Sequence, residues 1–110
     1  MIKYVVLEDQ RKIYGILENT ELDAVKRINK IVTGSEDVFS VYNKKYLMPR
    51  AFKVCSVCDP RDTWDVEVGK DIVKRKLLKH YYDSLDKRMN MFKSDLIVLN
   101  SRVWPTPVEH

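Results

Sequence analysis

The residues best suited to chemistry lie between positions 55 and 69, where two cysteines precede a group of acids. Cys55 and Cys58 have the Cys-x-x-Cys spacing that supplies half of a four-ligand zinc site or, at a helix N-terminus, a redox pair. The other half of a zinc site is missing, because His80 and His110 are the only histidines. Residues three apart in a strand point to opposite faces. We therefore expect two small core residues, with zinc and redox roles as open alternatives.

The acids could also bind a cation, since Asp59, Asp62, Asp65 and Glu67 would offer oxygen ligands to magnesium or calcium. Their spacing is not that of a calcium-binding loop. A helix start explains the same residues. Pro60 ends the preceding strand, Asp65 or Asp62 caps the first amides, and Glu67 interacts favourably with the helix dipole. We expect this structural role, no metal and no other cofactor. A metal-dependent enzyme at these acids is the third and weakest functional hypothesis.

Other catalytic motifs are absent from the sequence. The three glycines are too scattered for a phosphate-binding loop or a dinucleotide fingerprint. The chain has no Gly-x-Ser-x-Gly elbow and no His-Glu-x-x-His pair. One of its two histidines, His110, ends a Val-Glu-His tripeptide that resembles the start of an expression tag. We therefore predict a protein that is not an enzyme.

The segment that starts at the second cysteine also carries a composite motif. It reads Cys-x-Pro-x-Asp, then aromatic-Asp-x-Glu-x-Gly, and a lysine-rich helical segment follows. The residues concerned are Cys58, Pro60, Asp62, Trp64, Asp65, Glu67 and Gly69. In these residues the chain resembles small uncharacterised proteins encoded by bacteriophages. The resemblance implies a phage setting, and hence the cytoplasm of an infected bacterial host, without implying an activity.

The composition favours one globular domain. The chain has 110 residues, of which 45% are hydrophobic, enough to bury a core and to exclude disorder along the whole chain. No apolar run is long enough to span a membrane, so we expect no membrane association. The net charge of +4 is uneven, because residues 70–93 hold eight basic and three acidic side chains. The excess of positive charge is concentrated in that segment.

The sequence predicts an α+β domain over residues 1–100, with elements in the order β-β-α-β-β-α-β and a mainly antiparallel sheet. The first two strands are expected at 2–7 and 12–17, paired as a hairpin. Thr20 should cap a helix by accepting a bond from the Asp23 amide, and Gly34 should end it. The apolar stripe of that helix is Leu22, Val25, Ile28 and Val32. Residues 38–42 should form a short strand and 46–57 an extended segment, in which Pro49 delays the strand past residue 50 or places it at an edge.

The C-terminal half should hold a helix from residue 66 to about 92, a strand at 96–99 and an extended tail at 101–110. The helix has two apolar faces rotated by roughly 150° from each other, at about 100° per residue. The first comprises Val68, Ile72, Val73 and Leu77, and the second Leu78, Tyr81, Leu85, Met89 and Phe92. We expect either a break near residues 83–84 or a second half that packs elsewhere, including on a partner or in a homodimer.

Two functional hypotheses follow for this helix. The leading one is a non-enzymatic phage accessory protein of the host-takeover or anti-defence type, which binds and occludes a host protein. Its predicted contact residues are Arg75, Lys79, Tyr82, Met89 and Phe92. The alternative is nucleic-acid binding by a basic face comprising Lys70, Lys74, Arg75 and Lys79, with Tyr81 or Tyr82 stacking on bases. The same charges could instead form a solvated surface.

Overall fold

The computed structural model describes the backbone of residues 1–34 and 44–103 and the side chains up to residue 98. Two short 3₁₀ turns accompany five longer elements. The elements are strands β1 (Ile2–Leu7), β2 (Lys12–Glu18) and β3 (Ala51–Val57) and helices α1 (Asp23–Thr33) and α2 (Val66–Val103). The fold is α+β, as predicted. None of the helices in these residues is both long and apolar enough to cross a membrane.

The strands form one antiparallel sheet in the order β1-β2-β3. The predicted hairpin of β1 and β2 is confirmed, and its register pairs Tyr4 with Gly15. On the other side of β2, Gly15 pairs with Val54. The turn between β1 and β2 ends at Arg11, whose φ of 51° is left-handed and whose amide donates to the Glu8 carbonyl at 3.0 Å. β3 begins at Ala51, which confirms that Pro49 delays the strand.

The chain divides into two compact units, each built from two segments. The first comprises residues 1–21 and 49–84, and the second comprises residues 22–48 and 85–110. Helix α2 continues without interruption through residues 83–84. Its first half therefore belongs to one unit and its second half to the other. The expected break is therefore wrong, and the second half packs on a separate core of the same chain, while a contact with a partner or in a homodimer stays a prediction.

In the first unit, α2 packs closely on the sheet where two glycines provide space. A Cβ atom added at Gly15 would overlap the side chain of Val73, and one added at Gly69 would overlap that of Ile13. Ile13, Val73 and Leu77 are completely buried. Both glycines therefore permit close packing of α2 on the sheet, and the strand register at Gly15 is regular.

The start of α2 has the predicted cap. The Asp65 carboxylate accepts hydrogen bonds from the amides of Glu67 at 3.0 Å and Val68 at 3.3 Å. These amides lie in the first turn of the helix, where they have no intrahelical partner. The acid therefore satisfies two donors that would otherwise bind only water. Such caps typically contribute about 1 kcal/mol to stability.

The second unit has a core made by α1, the 3₁₀ turn Lys44–Tyr46 and the second half of α2. Val25, Ile28 and Tyr46 are buried, with Leu47, Met89, Met91 and Phe92 packed against them. The rings of Tyr46 and Phe92 meet edge to face, with their centroids 6.1 Å apart. Gly34 ends α1 with a left-handed φ of 77°, as predicted.

A polar cluster lies beside this second core. The Tyr46 hydroxyl donates to the Asp95 carboxylate, which also pairs with the Lys45 ammonium. Burial, followed by the bond to Asp95, raises the pKa of Tyr46 to about 12. The bonds from Lys45 and then Tyr46 lower the pKa of Asp95. In neutral solution Tyr46 is therefore protonated and Asp95 is ionised, so the hydroxyl can donate to the carboxylate.

Two predictions about α1 are wrong. Thr20 does not cap the helix, because its hydroxyl donates to the Pro49 carbonyl at 2.6 Å, and Leu22 occupies the cap position without a side-chain bond. The apolar stripe also differs from the expected one. Val25 and Ile28 are buried as expected, but Val32 is 53% exposed. Ala24 and Asn29, which were not expected in the stripe, are buried. Because α1 begins at Asp23 and not at Thr20, its buried residues lie in the turns that precede Val32.

The strand predicted at residues 96–99 is also wrong, because those residues lie in α2. The apolar, partly β-branched run favours a strand, but no glycine or proline separates it from the helix before it. Propagating a helix costs less than starting a new element, so local propensity is overridden. The predicted strand at 38–42 lies outside the described residues. Helix α2 continues to Val103, into the segment expected to be extended, and the rest of that tail is not among the described residues.

Candidate interaction site

Arg11 holds the loop between β3 and α2 against the turn between β1 and β2. Its guanidinium donates to the Cys58 Sγ at 3.4 Å and to the Asp62 carbonyl. Its own carbonyl accepts the Cys58 amide at 2.9 Å. No local sequence signal marks this residue as important. Its role depends on the left-handed turn that aims its side chain, and arginine has no special preference for that conformation.

The acids of this loop are engaged in local structure. Asp59 accepts the Arg61 amide at 2.8 Å and the Arg61 guanidinium at 3.1 Å, and these bonds lower the pKa of Asp59. Asp65 caps α2. Within residues 1–34 and 44–103, no three His, Cys, Asp or Glu side chains come together as metal ligands. The acidic junction is thus a folded loop that starts a helix.

The two cysteines are free and diverge. Cys55 pairs with Tyr14 in the sheet, on the face opposite to Gly15, whereas Cys58 follows the end of β3. Both are half-buried, so the expected place in the core is wrong for each of them. The sheet face of Cys55 is not the one that α2 covers. The Cys58 thiol lies within 3.5 Å of the Asp59 carbonyl and belongs to the loop.

A cavity of about 350 Å³ lies between this loop, the end of β3 and the first turns of α2. All of these elements belong to the first unit. The apolar part of its lining comprises Ile13, Val57, Trp64, Val68 and Ile72, and the acidic part includes Asp62. The volume falls within the roughly 300–1,000 Å³ of typical ligand sites. The cavity is large enough to receive an apolar side chain.

Three aliphatic residues at this cavity are exposed to solvent. Val57 is 60% exposed, Val68 is 55% exposed and Ile72 is 40% exposed. We call these three residues the aliphatic rim. The first predicted apolar face of α2 is thus only partly buried, because Val73 and Leu77 lie in the core whereas Val68 and Ile72 do not. The buried face of α2 is narrower than the expected half-turn, because the glycine contacts bring the helix axis close to the sheet.

The rim continues along α2 toward three predicted contact residues. Positions 68, 72, 75, 79 and 82 are spaced by four and three residues alternately, which places them on one side of a helix. Arg75, Lys79 and Tyr82 are all exposed. The Tyr82 ring meets that of Tyr81 edge to face, with centroids 5.1 Å apart. Periodicity alone predicts this stripe, but it does not show that the stripe is exposed at its N-terminal end.

Met89 and Phe92, the other two predicted contact residues, have a structural role. Both pack against the core of the second unit. Their side chains are half-buried and stabilise that core. A substitution of either would test folding before it tested binding.

The predicted basic face of α2 is largely engaged in ion pairs. Arg75 pairs with Asp71 at 3.0 Å, as its spacing predicts, and Lys79 pairs with Asp83 at 3.2 Å. Lys70 lies 4.0 Å from Glu67 and 5.7 Å from the centroid of the Tyr4 ring. Lys74 is exposed. This arrangement is a solvated face in which neighbouring acids reduce the positive field.

Comparison of the chain with protein-family models, with curated proteins and with solved structures gives no match.

Proposed function

We propose that the chain is a non-enzymatic binding protein that docks a partner protein on the aliphatic rim and the adjoining stripe of α2. The observation that supports this proposal is the group of three exposed aliphatic side chains around a preformed cavity. Exposed apolar groups beside a concavity are typical of interaction sites. The partner contributes an apolar side chain that enters the cavity and removes the rim from water.

The charged groups near the rim give the contact its orientation. Asp62 lines the cavity, so a lysine or arginine beside the inserted side chain would face a carboxylate. Arg75 and Lys79 lie further along the stripe, each beside an acid of its own helix. Exposed ion pairs of this type contribute little to stability. They can therefore exchange partners when a second protein approaches.

The setting follows from the resemblance to small phage-encoded proteins. In that setting the partner is a protein of the infected bacterium, and binding blocks a surface that the partner needs. The chain acts in the host cytoplasm as a takeover or anti-defence factor. A surface built on one helix and one loop suits steric occlusion, because it needs no reacting group.

The nucleic-acid alternative on α2 has weaker support. Lys70, Arg75 and Lys79 each have an acidic neighbour on the same helix. A phosphate would have to compete with those carboxylates for three of the four predicted cations. The aliphatic rim, in contrast, has exposed apolar side chains that a bound protein would bury. Protein binding is therefore the function that the geometry favours.

Affinity capture from bacterial lysate, followed by titration of the purified partner, tests the proposal. Ile72→Asp places a charge in the rim and should weaken the captured partner's binding by at least tenfold. The matched control is Ile31→Asp, because Ile31 is 62% exposed on α1 in the second unit. That control should bind like the wild-type chain.

Two results would refute the proposed site. One is a captured partner that binds the Ile72→Asp and wild-type chains with equal affinity. The other is equal weakening by Ile31→Asp, which would place the contact elsewhere. Circular dichroism of both variants should show the wild-type helix content, because both positions are exposed.

A further inference from the structure

The sheet of the first unit has a second face, opposite to the one that α2 covers. Successive residues of a strand point to opposite faces, and Gly15 faces Val73 of α2. Tyr14 and Ile16 therefore point to the other side. The strand register adds neighbours from β1 and β3 to the same side. We call this surface, which carries Lys3, Val5, Lys12, Tyr14, Glu18, Lys53 and Cys55, the open face.

The open face is accessible along both outer strands. Val5 of β1 is 43% exposed, the side chain of Lys3 is 70% exposed, and Lys53 of β3 is exposed as well. Tyr14 and Cys55 near the middle are half-buried by their strand neighbours. Water therefore reaches an apolar row made by Val5, Tyr14 and Cys55.

Lysines lie on both sides of that apolar row. Lys3 and Lys53 both pair with Ile16 in the register, one on each side of β2, so their backbones are about 10 Å apart. Lys12 lies two residues from Tyr14 in the other direction. Against these three cations the face has a single acid, Glu18, in an exposed pair with Lys3 at 3.1 Å. The surface is positive around a central aromatic ring.

This arrangement identifies the chemistry of the occupant. The charge excludes a second copy of the same face, because the lysines of two copies would meet. It favours a polyanion instead. The Tyr14 ring already attracts a cation, since the Lys53 ammonium lies 4.8 Å from its centroid. An aromatic ring bordered by lysines is the combination by which proteins hold single strands, in which bases stack and phosphates are neutralised.

We propose that the open face binds single-stranded nucleic acid, with a base stacked on Tyr14 and phosphates held by Lys3, Lys12 and Lys53. In the bound state the base replaces the Lys53 ammonium over the ring, and that ammonium moves to the adjacent phosphate. The contact is largely independent of sequence, because every base has a face that can stack. It is a second site, because Tyr14 and the three lysines are not residues of the aliphatic rim.

Fluorescence anisotropy with labelled 12-nucleotide oligothymidine, oligouridine and a 12-base-pair duplex tests the proposal. Both single strands should bind, and the duplex should bind more weakly because its bases are not free to stack. Between 50 and 200 mM salt the affinity for a single strand should fall roughly 20-fold if three phosphates are neutralised. Tighter binding of oligouridine than of oligothymidine would make RNA the preferred strand, and the reverse order would make DNA the preferred strand.

Variants separate stacking from charge. Tyr14→Leu should weaken binding about fivefold or more, whereas Tyr14→Phe should retain it, because the aromatic ring is kept. The double variant Lys12→Gln, Lys53→Gln should weaken binding and reduce its salt dependence to about threefold over the same range. The matched control is Lys74→Gln, Lys76→Gln on α2, which removes the same charge elsewhere and should leave the affinity nearly unchanged. Melting curves confirm that each variant is folded.

Several results would overturn the proposal. They are no binding of either strand at 50 mM salt, tighter binding of the duplex, or equal weakening by the α2 control. Binding of phosphatidylserine vesicles through the same lysines, without oligonucleotide binding, would assign the face to a lipid surface instead. Ile72→Asp should leave oligonucleotide binding intact, so that failure of the protein-docking site and failure of the open face can be distinguished.

Discussion

The two halves of α2 bury their apolar faces in different ways. In the first unit the helix approaches the sheet through Gly15 and Gly69, and small spaces are filled by Val73 and Ile13. In the second unit large side chains fill the core, including Phe92 against the Tyr46 ring. Close approach needs only a narrow buried face, so the rest of the helix surface stays exposed. The close approach at the two glycines is therefore the reason that the aliphatic rim lies in the first unit.

The largest effect should come from removing a large side chain in the second unit. Leu85 is 2% exposed, so Leu85→Ala should lower the free energy of unfolding by about 3 kcal/mol because it leaves a cavity. Urea denaturation measures the change. Leu96→Ala is the control, because Leu96 lies on the same helix with 41% exposure, and its cost should be below about 1 kcal/mol. Equal costs at the two positions would contradict the assigned core.

The next-largest loss of stability should come from the first unit, where adding a methyl group, not removing one, lowers the free energy of unfolding. Gly15→Ala should destabilise the protein by about 2 kcal/mol, because the new Cβ overlaps Val73. The double variant with Val73→Ala should cost less than the sum of the two single variants, because the smaller side chain removes the overlap. Simple additivity in urea denaturation would show that the glycine does not permit a close contact.

A smaller effect is expected at the start of α2. Asp65→Ala should cost about 1 kcal/mol, because two first-turn amides lose their acceptor. Asp65→Asn keeps a side-chain oxygen and should retain most of the stability. Denaturation curves of the two variants test the cap. If asparagine and alanine were equally destabilising, the hydrogen bonds would not be the reason for the acid.

The smallest effect is a pH dependence in the second unit. The pKa of Tyr46 is about 12 in the folded state, against an ordinary value of 10.0. Its contribution is therefore fully present below pH 10 and is lost as the pH rises toward 12. The pKa of Asp95 is lowered, so its contribution is present above the ordinary carboxyl range and is lost in acid. Thermal melts of the wild-type chain should lose more stability from pH 10 to 12 than melts of Tyr46→Phe, and parallel losses would contradict the assigned bond.

Most of the local structure could be predicted from the sequence. The hairpin, the glycine stop of α1 and the Asp65 cap each depend on neighbouring residues, and each is present. The errors have a shared cause. Thr20 and residues 96–99 have local preferences that tertiary hydrogen bonds or an uninterrupted helix override. A short sequence window contains neither the distant hydrogen-bond partner of Thr20 nor the long helix that precedes residues 96–99.

The candidate site was harder to predict for the same reason. Arg75, Lys79 and Tyr82 are exposed as expected, but periodicity cannot say which edge of an apolar stripe faces the sheet. The apolar pattern therefore groups Val68 and Ile72 with buried residues, whereas both are exposed. The contacts of Gly15 and Gly69 determine the rotation of the helix, and they join residues more than 50 positions apart.

The rim of the first unit, and not the core of the second, is the proposed site of partner binding. Methyl NMR of the chain alone and saturated with the captured partner tests this proposal most directly. The methyl signals of Val57, Val68 and Ile72 should shift on binding, while those of Val25 and Ile28 should not. Shifts confined to Val25 and Ile28, with an unchanged rim, would contradict it.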